Sequence, residues 1–169
     1  MLKSAALLFY PDPRSAGMGI ADFREMVQAI ALNETVPLAI NEQFDIARNV
    51  FAYSWFVYEF TMLAELQSYC VLEMALRSRL DPEAKANTTK SLGLHKLLKT
   101  TIDRGFLVRK DFVIPSTPDG NTRCQLDDIP MGRNHLAHGN INLMPQYALM
   151  ILNLSAKILN KLFPATTQN

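Results

Sequence analysis

The apolar stretch from Val50 to Leu76, VFAYSWFVYEFTMLAELQSYCVLEMAL, constrains the fold more than any other part of this 169-residue chain. Polar side chains interrupt it at Glu59, Glu65, Gln67 and Glu73. A membrane-spanning helix needs about 20 predominantly apolar residues, and ionised side chains inside it are costly. We therefore interpret the stretch as part of a soluble core, and we expect no membrane partner.

The spacing of apolar residues predicts that this stretch is helical. Asn41 is a candidate N-cap for a helix from about Glu42 to Leu80, bent near residues 53–56. The second half of this helix is apolar almost all the way round, so either the rest of the chain or a second subunit has to cover every side of it. Cys70 lies in this half and is expected to be a buried thiol.

Four further segments carry helix signals, and none carries a strong strand-pairing signal. The predicted helices follow Gly19 up to Asn33, Ser91 up to Gly105, Asp128 up to Gly139 with Pro130 in the first turn, and Pro145 up to Pro164. The segment 111–127 reads as a long loop with a turn at Asp119-Gly120 and a short β-like piece, DFVI. The sequence thus predicts an all-α helical bundle, folded as a single domain over residues 1–169, with a long central helix and a dimeric assembly.

Composition indicates an ordinary globular protein in a reducing compartment. The net charge is +1, with 49% apolar and 20% charged residues, so no overall field requires a nucleic-acid or membrane partner. The two cysteines have no metal-type spacing. The first residues contain one lysine and a short apolar run that Pro11 ends too early for a convincing signal peptide. We expect a cytoplasmic protein.

Charge is nevertheless unevenly spread along the chain. Residues 22–73 contain eight acidic and two basic side chains, whereas residues 77–110 contain nine basic and three acidic ones. A basic segment can follow the phosphate backbone of RNA, and it can equally be a solvated helix face. The candidate RNA-binding residues are Lys96, Lys99, Arg104, Arg109 and Lys110.

The heptad RNHLAHG, residues 133–139, is the candidate active site. A histidine exchanges protons near neutral pH and can act as a general base or acid. A guanidinium binds phosphate through two parallel hydrogen bonds and offsets developing negative charge. Arg133 and His138, with Asn134 on the same helix face as the histidine, therefore suit RNA cleavage by the ribose 2′-hydroxyl. This reaction would need no metal and no cofactor, and His135 would be auxiliary.

Two alternatives stay open for these residues. Polar side chains followed by glycine are also typical of a capped helix C-terminus. Glu73 and Arg77 are spaced for an i, i+4 ion pair on a helix, which is a structural role. Glu73 could instead orient Arg133 across the bundle.

The heptad resembles the signature of the HEPN superfamily, an arginine followed after four to six residues by a histidine, with a polar residue directly after the arginine. Arg133, Asn134 and His138 occupy these positions, and Gly139 follows as it often does in the family. The resemblance covers about residues 42–163 and leaves residues 1–40 as a helical extension. It implies a helical bundle, usually a homodimer in which both Arg–His motifs meet at a cleft between the subunits.

The resemblance also implies function. Active HEPN members are metal-independent endoribonucleases in toxin–antitoxin, phage-defence and RNA-processing systems, so the implied partners are RNA and an antitoxin or nucleotidyltransferase. Other members are non-catalytic modules that bind a nucleotide or a protein. A metal-independent endoribonuclease is therefore expected here, with a non-catalytic dimeric binding module and a purely structural bundle as alternatives.

Overall fold

Six α-helices make up most of the part of the chain that the computed structural model describes, namely residues 3–82, 92–115, 121–139 and 144–165. In chain order they are α1 (Ile20–Gln28), α2 (Leu38–Tyr53), α3 (Phe60–Leu80), α4 (Leu94–Asp103), α5 (Gln125–Ala137) and α6 (Pro145–Leu162). Short 3-10 helices lie at Ala5–Leu7, Pro13–Ser15 and Arg109–Phe112. The predicted all-α bundle is confirmed. No helix of the described ranges combines the length and apolarity needed to cross a membrane.

The chain reverses between α2 and α3, and the predicted single bent helix is therefore wrong. Residues 54–59 separate the two helices, which pack against each other extensively. The expected cap at Asn41 is also wrong, because α2 begins earlier, directly after Pro37. Two carbonyls in the break accept hydrogen bonds from the N-terminal segment: Trp55 O from Asp12 N at 2.8 Å, and Phe56 O from Lys3 Nζ at 2.6 Å. These distant donors stabilise the break.

α3 is the centre of the bundle. It contacts α2, α4, α5 and α6, and its side chains at Leu72, Ala75 and Leu76 have no exposed surface. α1 packs against α2 and α6, and its Phe23 and Val27 belong to the same hydrophobic core as α3. α1 thus shares the core of the bundle.

One side of α3 stays uncovered in the single chain. Leu63, Leu66 and Met74 are 44%, 38% and 37% exposed, and Cys70 between them is exposed as well. We call these four residues the α3 stripe. The prediction that Cys70 is a buried thiol is wrong, because this side of the helix faces away from the other five helices.

A two-stranded hairpin precedes α5 and shifts its start. β1 (Val113–Pro115) pairs antiparallel with β2 (Thr122–Cys124), which confirms the β-like piece but contradicts the absence of strand pairing. α5 begins directly after β2, three residues before the predicted cap Asp128, so Pro130 lies inside the helix. The predicted cap Ser91 and turn Asp119-Gly120 lie outside the described residues. Gly105 follows α4 with a φ of 75°, and Pro145 opens α6, both as predicted.

Candidate functional site

Gly132 sets how closely α5 approaches the rest of the bundle. A Cβ atom at this position would lie 2.2 Å from Tyr69 Oη and 3.1 Å from Tyr69 Cζ on α3, and 3.2 Å from Tyr147 Oη on α6. Because any side chain would collide with these rings, only glycine permits this packing. The residue that follows is Arg133, so the packing at Gly132 also fixes the starting point of the arginine side chain.

The tyrosines against Gly132 belong to a buried polar cluster. Tyr69 Oη donates to Glu65 Oε1 at 2.8 Å, and Tyr147 hydrogen-bonds with Tyr69. Glu65 is 2% exposed, and burial raises the pKa of its carboxyl group. Burial, followed by the nearby carboxylate, also raises the pKa of both tyrosines. The cluster joins α3 and α6 beneath α5, and sequence reasoning missed it because its members are brought together only by the tertiary fold.

Arg133 points towards α3 and keeps much of its side chain in solvent. Its side chain is 43% exposed, and its Nε lies 3.7 Å from Glu73 Oε1. The other oxygen of Glu73 lies 3.6 Å from Arg77 Nη2, which also donates to Leu92 O at 2.7 Å. A contact of this length at the surface is weak. The Arg133 guanidinium makes no hydrogen bond with a described residue, so it retains donors for an anion. Whether Glu73 orients Arg133 in function stays a prediction.

A groove between α4 and α5 begins at Arg133. Its first cavity, about 350 Å³, is lined by Gly93, Leu94, His95, Lys96, Pro130, Arg133 and Asn134. Its second cavity, about 490 Å³, is lined by His95, Leu98, Lys99, Ile102, Asp103, Arg109, Leu126, Asp127, Pro130 and Met131. Both cavities share His95 and Pro130, so they adjoin. We call them together the α4–α5 groove.

Three of the predicted RNA-binding residues line this groove and two do not. Lys96 lies in the first cavity, and Lys99 and Arg109 lie in the second. Arg109 makes a two-pronged contact with Asp127, at 3.0 and 2.5 Å, which raises the pKa of the arginine. Arg104 donates to Leu80 O at 3.2 Å, and Lys110 is exposed outside both cavities.

His138 lies at the end of α5, away from the groove lining. It is the C-cap residue, its side chain is exposed, and its backbone N–H donates to Asn134 O at 3.0 Å. Gly139 follows with a φ of 78°, which ends the helix. Along a helix, His138 is displaced by about 140° and roughly 7.5 Å from Arg133. The structure therefore groups Arg133 with Asn134 but does not place His138 in their cavity.

The other histidines occupy different surroundings. His135 is exposed on α5 and lines neither cavity, whereas His95 lies in both. Sequence reasoning singled out His135 as auxiliary and passed over His95. The apolar spacing of α4 indicates that His95 is on its polar side, but only the packing of α4 on α5 places it beside Arg133.

Within the described ranges, no three histidine, cysteine or carboxylate side chains are close enough together to hold a metal ion. The α4–α5 groove instead offers cationic and amide donors beside an apolar floor, with two carboxylates, Asp103 and Asp127, in its second cavity. Such a lining suits a phosphate-bearing ligand with a flat apolar portion. Comparisons with protein-family models, with curated proteins and with solved structures found no match.

Proposed function

We propose that this chain is a metal-independent endoribonuclease of the HEPN type, in which Arg133 binds the scissile phosphate and His138 transfers protons. The observation that carries the proposal is the surroundings of Arg133. Among the described residues, its half-exposed guanidinium has one weak carboxylate contact, with Glu73, and it opens into a cavity that also contains Asn134 and Lys96. These donors match the oxygens of a phosphodiester.

The proposed reaction uses the substrate's own nucleophile. His138 accepts the proton of the ribose 2′-hydroxyl, and the 2′ oxygen attacks the adjacent phosphorus while Arg133 binds the non-bridging oxygens. The bond from phosphorus to the 5′ oxygen breaks, and that oxygen leaves with the electron pair and takes a proton from the imidazolium or from water. The products are a 2′,3′-cyclic phosphate and a 5′-hydroxyl. Proton transfer and charge stabilisation are the only contributions the protein has to make.

The separation of His138 from the Arg133 cavity leads us to propose a composite site in a homodimer. The α3 stripe is an exposed apolar surface beside Arg133. Partial burial, followed by the Glu73 carboxylate, raises the pKa of the Cys70 thiol, and the Arg133 guanidinium opposes this shift. A two-fold contact through the stripe buries it against an identical surface and brings the two α5 helices to one cleft. The imidazole of one subunit can then face the guanidinium of the other.

The dimer is tested by cross-linking at the stripe. Near a two-fold axis, the two copies of Cys70 lie within reach of a short bifunctional maleimide, which is best applied at mildly alkaline pH because the pKa of this thiol is raised. Cross-linked dimer is expected with the native chain and with Cys124→Ser, and none with Cys70→Ser. A monomer by light scattering at micromolar concentration, together with no Cys70-dependent cross-link, contradicts the dimer.

The activity is tested with purified protein, single-stranded RNA and EDTA. Cleavage is expected to persist and to leave a 2′,3′-cyclic phosphate, while the matching DNA stays intact because it lacks the attacking hydroxyl. His138→Ala removes a proton transfer, which is typically worth about 10²–10⁴-fold. Arg133→Lys is also expected to be strongly impaired, because an ammonium lacks the planar two-pronged contact. His135→Ala is the matched control and should retain most activity.

A non-catalytic binding module is the second candidate, and the position of His138 outside the Arg133 cavity favours it. In this case the groove binds a nucleotide, or a protein with a phosphate or carboxylate, without turnover. Native protein that binds RNA yet leaves it uncut, with and without divalent ions, supports the module.

Loss of cleavage in His135→Ala with full activity in His138→Ala means that the wrong histidine has been assigned.

A further inference from the structure

The second cavity of the α4–α5 groove has a lining unlike that of the Arg133 cavity. Its floor is apolar, with Leu98 and Leu126 buried and Ile102 partly buried, and Met131 at its edge is 60% exposed. Lys99 is exposed on its rim, and so is His95, where the cavity adjoins the one at Arg133. Its volume of about 490 Å³ falls in the range of sites that enclose a small organic ligand.

Four charged side chains line this cavity, namely Lys99, Asp103, Arg109 and Asp127. Arg109 and Asp127 pair with each other through two hydrogen bonds and largely satisfy each other. Lys99 makes no hydrogen bond or ion pair with any described residue, so its ammonium is available to a phosphate. Proteins hold single-stranded nucleic acid by pairing cations that contact phosphates with surfaces that pack against base faces, most often aromatic ones. Here the cation is Lys99 and the packing surface is aliphatic.

We propose that the second cavity is a nucleotide subsite, in which the base of the residue next to the scissile phosphate lies on the Leu98–Met131 floor and its own phosphate contacts Lys99. This inference rests on the proposed function for the direction of the strand, which runs from Arg133 past His95 into the cavity. It favours single-stranded RNA as the substrate, because a paired base would have to lose its pairing and stacking to enter a recess between α4 and α5. The strand in this subsite would pass His95, which lines both cavities where they adjoin.

The subsite is tested by RNA binding in the absence of turnover. His138→Ala is the parent chain, and anisotropy of a short labelled single-stranded RNA reports affinity. Lys99→Glu is expected to weaken binding about tenfold and to reduce the dependence of affinity on salt by roughly one phosphate contact. Met131→Glu places a carboxylate at the edge of the apolar floor and is expected to weaken binding by a similar factor. Met131 is exposed, so this variant should fold normally, as thermal melting will show.

Arg24→Glu is the matched control. Arg24 is an exposed cation on α1, which packs against α2 and α6 and not against the groove, so this variant should bind like the parent. Equal affinity of all four chains overturns the subsite, as does equal weakening by Lys99→Glu and Arg24→Glu. The outcome is separable from that of the proposed function. If Lys99→Glu and Met131→Glu weaken binding but the native chain does not cleave RNA, the subsite is retained and the nuclease is rejected. If the native chain cleaves RNA but these variants bind like the parent, the nuclease is retained and the subsite is rejected.

Discussion

Replacing Gly132 by alanine probes the packing that holds the candidate site in place. The new Cβ would lie 2.2 Å from Tyr69 Oη, a distance that non-bonded atoms do not reach. Tyr69 cannot easily move aside, because it is 1% exposed and its hydroxyl donates to Glu65 at 2.8 Å. Either α5 withdraws from α3, or the tyrosine breaks its hydrogen bond.

Three contributions determine how much Gly132→Ala changes the free energy of unfolding. Overpacking a buried position costs about 1–3 kcal/mol, and leaving a buried polar partner unsatisfied costs a further 1–3 kcal/mol or so. Alanine regains roughly 0.5–1 kcal/mol relative to glycine inside a helix. The expected net effect of Gly132→Ala is a loss of about 1–5 kcal/mol in the free energy of unfolding.

Tyr69→Phe supplies the internal control. Alone it removes the hydroxyl that serves Glu65, and it is expected to cost about 1–3 kcal/mol. Combined with Gly132→Ala, it removes the atom in the worst clash and leaves the ring carbon at 3.1 Å, which a shift of a few tenths of an ångström relieves. The double variant should therefore be more stable than the sum of the single effects predicts, by about 1–2 kcal/mol.

Urea unfolding followed by circular dichroism measures all four chains. If the two substitutions add independently, the contact between Gly132 and Tyr69 is not what holds α5. If Gly132→Ala is as stable as the native chain or more so, helix propensity governs this position and the close packing is refuted.

Two predictions concern buried carboxyl groups and pH. Burial raises the pKa of Glu65, so the folded state loses stability as pH rises above the ordinary value near 4.5. Glu65→Gln should therefore be more stable than the native chain at pH 7, by on the order of 1 kcal/mol. Urea unfolding should show no such gain at pH 4. The Arg14 guanidinium lowers the pKa of Asp12 from 3.8 to about 2, so its contribution is present above pH 4 and lost as pH falls towards 2. Because Arg14 is partly exposed, Asp12→Asn should cost only about 1 kcal/mol at pH 7. The denaturation midpoints of the native chain and of Asp12→Asn should converge between pH 4 and pH 2, and midpoints that stay apart contradict this assignment.

The sequence predicted those helix boundaries that are set by residues within a few positions of the boundary. Pro145 begins α6 and Gly105 ends the turn after α4 because each satisfies a backbone requirement within a few residues. The break at residues 54–59 follows a different logic. Its sequence is as apolar as the helices on either side, and the donors that bind its carbonyls, Asp12 and Lys3, come from far earlier in the chain. Hydrophobic periodicity carries no information about such partners.

The candidate site likewise has a part that the sequence could predict and a part that depends on the tertiary fold. The composition of the heptad singled out Arg133 and Asn134 as candidates, since a guanidinium and an amide beside histidines suit phosphate chemistry. Neither the shared lining at His95 nor the separation of His138 from the Arg133 cavity could be deduced, because both depend on how α4 packs against α5. Cys70 shows the same limit, since an apolar run does not reveal which of its faces lies uncovered.

The hydrogen bonds that join the segment after α1 to the end of α6 have a consequence for synthesis on the ribosome. Asn33 N donates to Asn160 Oδ1 at 2.7 Å, and the side chains of Asn33 and Thr35 both donate to Phe163 O, across separations of 127 to 130 residues. The segment that holds Asn33 leaves the exit tunnel long before α6 is made, and in that interval its apolar residues Val27 and Ile30 lack one wall of their core. Contacts of such long range also slow folding, because the chain must close a large loop first. Nascent chains halted before α6 should therefore expose this segment to chaperones and proteases, and they become resistant only once α6 emerges.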